Sequence, residues 1–208
     1  MLSKPCIIGR SSSSFTRITR IFASELGVEY ELRVVRDLMS SNVRDYAGNP
    51  ALKLPILQAS TGTWFGALNI CRALALGSTR ELHIVWPEDL REPVLANAQE
   101  LTVHALATEV ALIMSKLGGD VDGVSHQSKM RASLLNVLDW LDANAGGILA
   151  GLPGARQLSY LEVALFCLVT HLEFRDVVPV AQYRELTAFC RLFAERASAR
   201  ATPYCFDV

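Results

Sequence analysis

Five cysteines, four histidines and a run of four serines are the side chains of this 208-residue sequence that invite a chemical reading first. The cysteines (Cys6, Cys71, Cys167, Cys190 and Cys205) are odd in number, widely scattered and without a C-x-x-C pair. A disulfide framework, a zinc ribbon and a dithiol redox site each need paired spacing, so the pattern argues against all three. Cys71, Cys167 and Cys190 lie among Ile, Leu and Phe and read as small buried hydrophobes. Cys205, in the tail, is the one expected to be exposed. The histidines (His83, His104, His126 and His171) show no H-E-x-x-H or paired spacing. Glu100 and His104 are four residues apart and read as a surface contact on one helix face, and no metal site is expected. Ser11, Ser12, Ser13 and Ser14 precede a stretch of helical periodicity, and taken alone they read as a polar loop that caps a helix.

The elements that would position these groups follow from periodicity. Cys6-Ile7-Ile8 predicts a short strand ended by Gly9, and apolar residues at Phe15, Ile18, Ile21, Phe22 and Leu26 predict a helix stopped by Gly27. Tyr30 to Val35 reads as a second strand. An irregular stretch then closes at Asn49-Pro50. Leu54 to Leu57 and Thr63 to Phe65, joined through Ser60-Thr61-Gly62, predict a hairpin, and Ala67 to Leu76 a helix ending at Gly77. The order βαβ followed by ββα implies a small α/β domain with a mixed sheet. Everything after Trp86-Pro87 reads as helix. Leu90 to Leu117 should end at Gly118-Gly119, and Ser128 to Ala145 at Gly146-Gly147. Ser159 and Glu162 have the spacing of a capping box, with Leu158 and Val163 as its staple. The helix they open is apolar nearly all round and is expected at the centre of a second domain. Tyr183 to Ala197 reads as the last helix, and Pro203 to Val208 as a tail. The expected organisation is residues 1–77, a linker at 78–89, and an all-helical domain at 90–208.

Composition narrows the function classes. Half of the residues are hydrophobic and a fifth charged, enough for a sizeable core. Twenty basic against twenty-one acidic residues leave a net charge of −1, which lacks the basic face that nucleic-acid binding by phosphate neutralisation needs. No apolar run reaches the ~18 residues of a membrane span, and Met1 to Gly9 carries too short a hydrophobic stretch for a signal peptide. A cytoplasmic protein is expected, with no nucleic-acid or membrane partner.

Four stretches, in order, match the motifs of one known family. Ser13-Ser14-Phe15-Thr16-Arg17-Ile18-Thr19-Arg20-Ile21 is similar to S-P-[YF]-V-R-x-V-R-I. Asn49 to Leu57 is similar to N-P-x-G-K-V-P-x-L, and Phe65 to Leu74 follows F-[ED]-S-x-x-I-x-x-Y-L in frame. Leu158 to Arg175 is similar to a capped core helix. With these four the chain resembles the cytosolic glutathione transferases, particularly the bacterial members. The resemblance implies a thioredoxin-like N-terminal domain followed by an all-helical domain, the glutathione transferase fold, with glutathione as cosubstrate and a homodimer as the assembly. Its usual dimer faces correspond here to Ala67–Leu76 and Leu90–Leu117.

The same resemblance assigns roles. A free thiol titrates near pH 8.5, so little of it is nucleophilic thiolate at neutral pH. A hydroxyl hydrogen bond to the thiolate contributes roughly 1.5–3 kcal/mol, about one to two pKa units. The family places that hydroxyl on Ser13, with Ser11 and Ser14 beside it in the glutathione site and Ser11 and Ser12 as alternatives for the same role. It implies a cis bond before Pro55, the Leu54 backbone paired with the cysteinyl part of glutathione, and Lys53 reaching the glycyl carboxylate. The second substrate, a small and mostly apolar electrophile, is expected between the domains against His104, Thr108 and Leu112, beneath Tyr204 and Phe206.

One part departs from the pattern. Where the family has an acidic residue and a serine for the γ-glutamyl end, this chain has Gly66 and Ala67. Loss of two charge-assisted hydrogen bonds, roughly 3–6 kcal/mol, corresponds to a hundredfold to ten-thousandfold in affinity. Backbone N–H groups at the helix start still offer an anion site. Two functions are therefore expected to compete: an enzyme that activates the glutathione thiol (a transferase, or a related isomerase or lyase), and a non-catalytic binding protein that keeps the fold with a degenerate glutathione site.

Overall fold

The computed structural model describes residues 4–118 and 124–207. Gly119, expected to help end a helix, lies outside them. The chain divides into two compact units, Met1–Leu82 with Ala194–Val208, and His83–Phe193. The segment after Phe193, assigned from the sequence to the helical domain, groups with the first unit through side-chain bonds that periodicity does not register. Glu25 accepts from Arg196 Nε at 2.8 Å and from Ser198 Oγ at 2.5 Å.

In the first unit the element order is β1 (Cys6–Gly9), α1 (Ser14–Glu25), β2 (Glu31–Val34), β3 (Ile56–Ala59), β4 (Gly62–Phe65) and α2 (Ala67–Gly77). The sheet order is β2-β1-β3-β4, with β1 parallel to β2 and antiparallel to β3, and β3 antiparallel to β4. This is the mixed sheet expected from the sequence. β1 is central, so Ile7 and Ile8 are both buried, one on each face of the pleat. Ile18, Ile21 and Phe22 of α1, spaced three and four apart, are wholly buried, as is Ile70 of α2. Each such side chain contributes about 1.5–3 kcal/mol. Gly27 takes φ +66 just past the end of α1, the left-handed conformation a helix stop requires. Gly9 is constrained from the other side, because a Cβ there would overlap the Thr16 side chain. A smaller cluster of Ile8, Val35, Tyr46 and Ile56 anchors the irregular stretch, with Leu38, Leu52, Leu54 and Phe65 packed against it.

The second unit holds β5 (Ile84–Val85), α3 (Pro93–Gly118), α4 (Val124–Gly151), β6 (Leu158–Ser159), α5 (Tyr160–Phe174) and α6 (Arg184–Phe193). Two expectations change. α4 starts at Val124 and passes through Gly146-Gly147 to Gly151 instead of spanning Ser128 to Ala145. Each mid-helix glycine costs about 1 kcal/mol, and burial of Ala145, Ile148 and Leu152 offsets it. The predicted final helix splits into α6 and a single turn, α7 (Ala197–Arg200). Half of the capping box is present: Ser159 Oγ accepts from Glu162 N at 3.5 Å. The Glu162 carboxylate turns instead to Arg156, taking its Nε and Nη2 at 2.8 Å each, because a bidentate guanidinium pair is the stronger bond.

α5 is buried along nearly its whole length, as its all-round apolar sequence predicts. Glu109 of α3 is fully buried against His171 of α5, Oε1 to Nδ1 at 2.9 Å. Burial pushes the Glu109 carboxyl up, against the opposing pull of His171 and Arg175. No described helix is long and apolar enough to cross a membrane.

Candidate functional site

The serine run turns β1 into α1. Ser13 N donates to Arg10 O at 3.1 Å, closing a turn across Ser11 and Ser12. Ser13 is the N-cap of α1, with extended backbone (φ −102, ψ 127), and its Oγ accepts from Thr16 N at 3.3 Å. The cap uses one acceptor lone pair and leaves the O–H proton free to donate, since a hydroxyl carries one donor and two acceptor positions. Capping the helix and stabilising an anion are therefore compatible roles for the same side chain. Of the neighbours, Ser11 and Ser12 are buried and Ser13 half-buried, while Ser14 is wholly buried in the first turn. Ser14 Oγ has no hydrogen-bond partner among the described residues.

The second predicted segment leads into β3, the strand beside β1. The Leu54–Pro55 bond is cis, as the resemblance implies. Pro55 is buried and the Leu54 side chain packs on the small cluster. Among the described residues no hydrogen bond engages the Leu54 N–H or C=O. Lys53 is exposed. The approach is braced by the buried side chain of Asn49: Nδ2 donates to Lys53 O at 2.7 Å and Oδ1 accepts from Ala51 N at 3.0 Å. Asn49 stands in the sequence as a turn residue and as the start of the N-P motif, but its bracing role does not, since a side chain that bonds its own loop carries no periodic signal.

Gly66 is the N-cap of α2 at φ +81, exposed and without a side-chain cap, and Ala67 is buried at the first helical position. Neither offers a side-chain donor or acceptor. Asn69 of the first turn spends its Nδ2 on Phe65 O at 3.2 Å. The backbone N–H groups at this helix start are the polar groups that remain for an anion.

In the helical unit, His104 is exposed with Nε2 3.4 Å from Ser133 Oγ of α4, and Thr108 and Leu112 are buried. Cys71, Cys167 and Cys190 are buried and Cys205 exposed, as their surroundings in the sequence imply, and no disulfide joins cysteines among the described residues. Among the described residues no three His, Cys, Asp or Glu side chains converge as a metal site would need.

Sequence reasoning missed one residue at the serine turn. Asp207, near the chain end, accepts from Ser11 N at 2.9 Å. Its only sequence signal is a lone acid in a tail.

Residues 12–76 match the family model for the glutathione S-transferase N-terminal domain. Among solved structures, a glutathione S-transferase from Methylobacillus flagellatus KT with glutathione bound superposes with a TM-score of 0.75 at 18% identity, covering 97% of this chain and 100% of that one. A family member from Pseudomonas fluorescens Pf-5, also with bound glutathione, gives a TM-score of 0.79 at 16% identity over 97% and 99%. A Methylobacterium radiotolerans JCM 2831 glutathione S-transferase in complex with glutathione sulfonate gives 0.74 at 18% over 99% and 98%. No curated protein sequence matches this chain. Over residues 12–76 the chain is similar to the glutathione S-transferase N-terminal domain, and it has the glutathione transferase fold, a thioredoxin-like unit followed by helices.

Proposed function

We propose that the protein binds glutathione and activates its thiol for attack on a small apolar electrophile. The observation that carries the reading is Ser13, which caps α1 through an acceptor lone pair and keeps its O–H for a thiolate at the helix's positive end. The hydroxyl donates to the sulfur and lowers the cost of losing the thiol proton, raising the fraction of nucleophile at neutral pH. The sulfur then attacks the electrophile's carbon and expels its leaving group. The unengaged Leu54 backbone beside Pro55 offers a donor and an acceptor to the cysteinyl peptide, and exposed Lys53 a charge for the glycyl carboxylate. Ser11, Ser14, Gly66 and Ala67 complete the assigned surroundings of the tripeptide. The apolar co-substrate is assigned to the stretch of α3 that carries His104, Thr108 and Leu112. Cytoplasmic location and homodimerisation belong to the same proposal, as does the absence of nucleic-acid, membrane and metal partners.

The competing reading, a binding protein that kept the fold and lost glutathione, is favoured by one observation. Gly66 and Ala67 hold no group for the γ-glutamyl end, and Asn69 is engaged with the backbone. A calorimetric glutathione titration separates the two. The enzyme reading expects wild-type binding at or below about millimolar, tightened roughly a hundredfold or more by Gly66→Glu/Ala67→Ser. Absence of binding in the wild type, with recovery in the double variant, would establish the degenerate site and sink the enzyme reading.

A further inference from the structure

We propose that Asp207 is a positioning residue for the thiol site, holding from the far end of the chain the Arg10–Ser13 turn that presents Ser13. The inference rests on the assignment of Ser13 to the glutathione thiol. Both carboxylate oxygens of Asp207 lie on the Ser11 N–H, Oδ2 at 2.9 Å and Oδ1 at 3.3 Å, and Arg10 Nε is 3.6 Å from Oδ2. The Asp207 side chain is only 10% exposed, so this is a largely desolvated charge whose partners are the turn itself. Bonds of this charged kind are about twice as strong as neutral ones.

The tail reaches the turn by side-chain contacts, because residues 203–207 form no helix or strand. Tyr204 lies under the Arg17 guanidinium, 4.3 Å from its ring centroid, and Arg17 Nη2 donates to Ala199 O at 3.3 Å. Thr202 Oγ1 bonds Ser198 O at 2.9 Å. α1 thus grips the segment that delivers Asp207 to the loop at the helix's own start.

The chemical consequence follows from the turn's closure. Ser11 lies between the two ends of the Arg10–Ser13 hydrogen bond, so clamping its N–H limits where the Ser13 hydroxyl can point. Without Asp207 the Ser11 N–H loses its acceptor and the turn must rearrange to reach water. A misplacement of about 1 Å at a reacting centre can cost up to ~10²-fold in rate. Most of glutathione's other assigned contacts, at Lys53, Leu54, Gly66 and Ala67, are on different segments, and only Ser11 and Ser14 share this one. Loss of the clamp therefore falls mainly on kcat, with a smaller change in KM.

The test compares full-length wild type, Asp207→Ala, Asp207→Asn and Ser13→Ala. Amide hydrogen exchange is followed in the free proteins, and kcat and KM for glutathione are measured with chlorodinitrobenzene as electrophile. Asp207→Ala is expected to raise exchange at Ser11 and Ser12 at least tenfold and lower kcat about tenfold, with KM within twofold. Asp207→Asn, which keeps an acceptor oxygen in place, should retain most of both. Unchanged exchange in Asp207→Ala overturns the clamp, and so does raised exchange with kcat unmoved or increased. Equal losses in the Ala and Asn variants overturn it as well, since charge and not position would then be at work. Exchange and kcat that respond as expected in Asp207→Ala, beside a Ser13→Ala variant as active as wild type, would sink the Ser13 assignment and with it the presentation of Ser13 by the clamp, although the exchange would still tie Asp207 to the turn.

Discussion

The role proposed for Ser13 in thiol activation falls on the same hydroxyl that caps α1. Its acceptor side holds the Thr16 N–H, and its proton is available to a ligand. Ser13→Ala should therefore have two separable costs. Loss of the cap costs about 1 kcal/mol of stability, readable as a small fall in Tm. Loss of the donor should lower conjugation far more, by tenfold or beyond, the equivalent of one hydrogen bond to a charged group. Retained conjugation in a folded Ser13→Ala protein would return the role to Ser11 or Ser12. Legibility at this scale was uneven. Family spacing singles out the serine run, Lys53 and Pro55 as candidates, and the cis bond before Pro55 is present. The roles of Asn49 and Asp207 escaped because they are hydrogen bonds to backbone groups, which leave no repeat in the sequence.

Elements are legible wherever burial is written in local spacing. The α1 stripe, the stop at Gly27, the β3–β4 hairpin and the all-round apolar α5 appear as expected. They were misread where packing overrides propensity, as at Gly146-Gly147, which α4 crosses because its neighbours are buried. The junction between β1 and α1 is the tightest of these elements. A Cβ at Gly9 would collide with Thr16, a stiff β-branched side chain that is fully buried and whose Oγ1 accepts from Arg10 N. Gly9→Ala is expected to cost about 1–3 kcal/mol as overpacking, a fall of roughly 2–10 °C in Tm. Thr16→Ala added to it should recover part of that loss. No recovery in the double variant would place the cost elsewhere.

Across the whole molecule, the chain returns to its first unit at the end, and Glu25 is one of the bonds that hold it there. Burial alone would raise its carboxyl, but the Arg196 and Ser198 bonds, with Arg196 and Arg80 charge nearby, bring it below the ordinary value of 4.5. A lowered carboxyl contributes stability that is complete above the unfolded value and lost as pH falls through the folded one. Wild-type Tm should therefore fall more steeply below pH 4.5 than that of Glu25→Gln, which pays its loss at neutral pH instead. Parallel curves would remove Glu25 from the linkage.

The sequence by itself determined the order of elements, the mixed sheet, the helical second half and the two segments of the candidate site. Each of these is written in local spacing, as alternation, helical stripes, capping residues and short motifs. Only the tertiary structure decided that the last fifteen residues join the first unit, that α4 crosses two glycines, that Glu162 prefers Arg156 to its capping partner, and that Asp207 seats on Ser11. Those outcomes depend on pairings between residues up to 196 positions apart. Which polar group meets which in a low-dielectric interior is set by packing, and a linear pattern does not encode it.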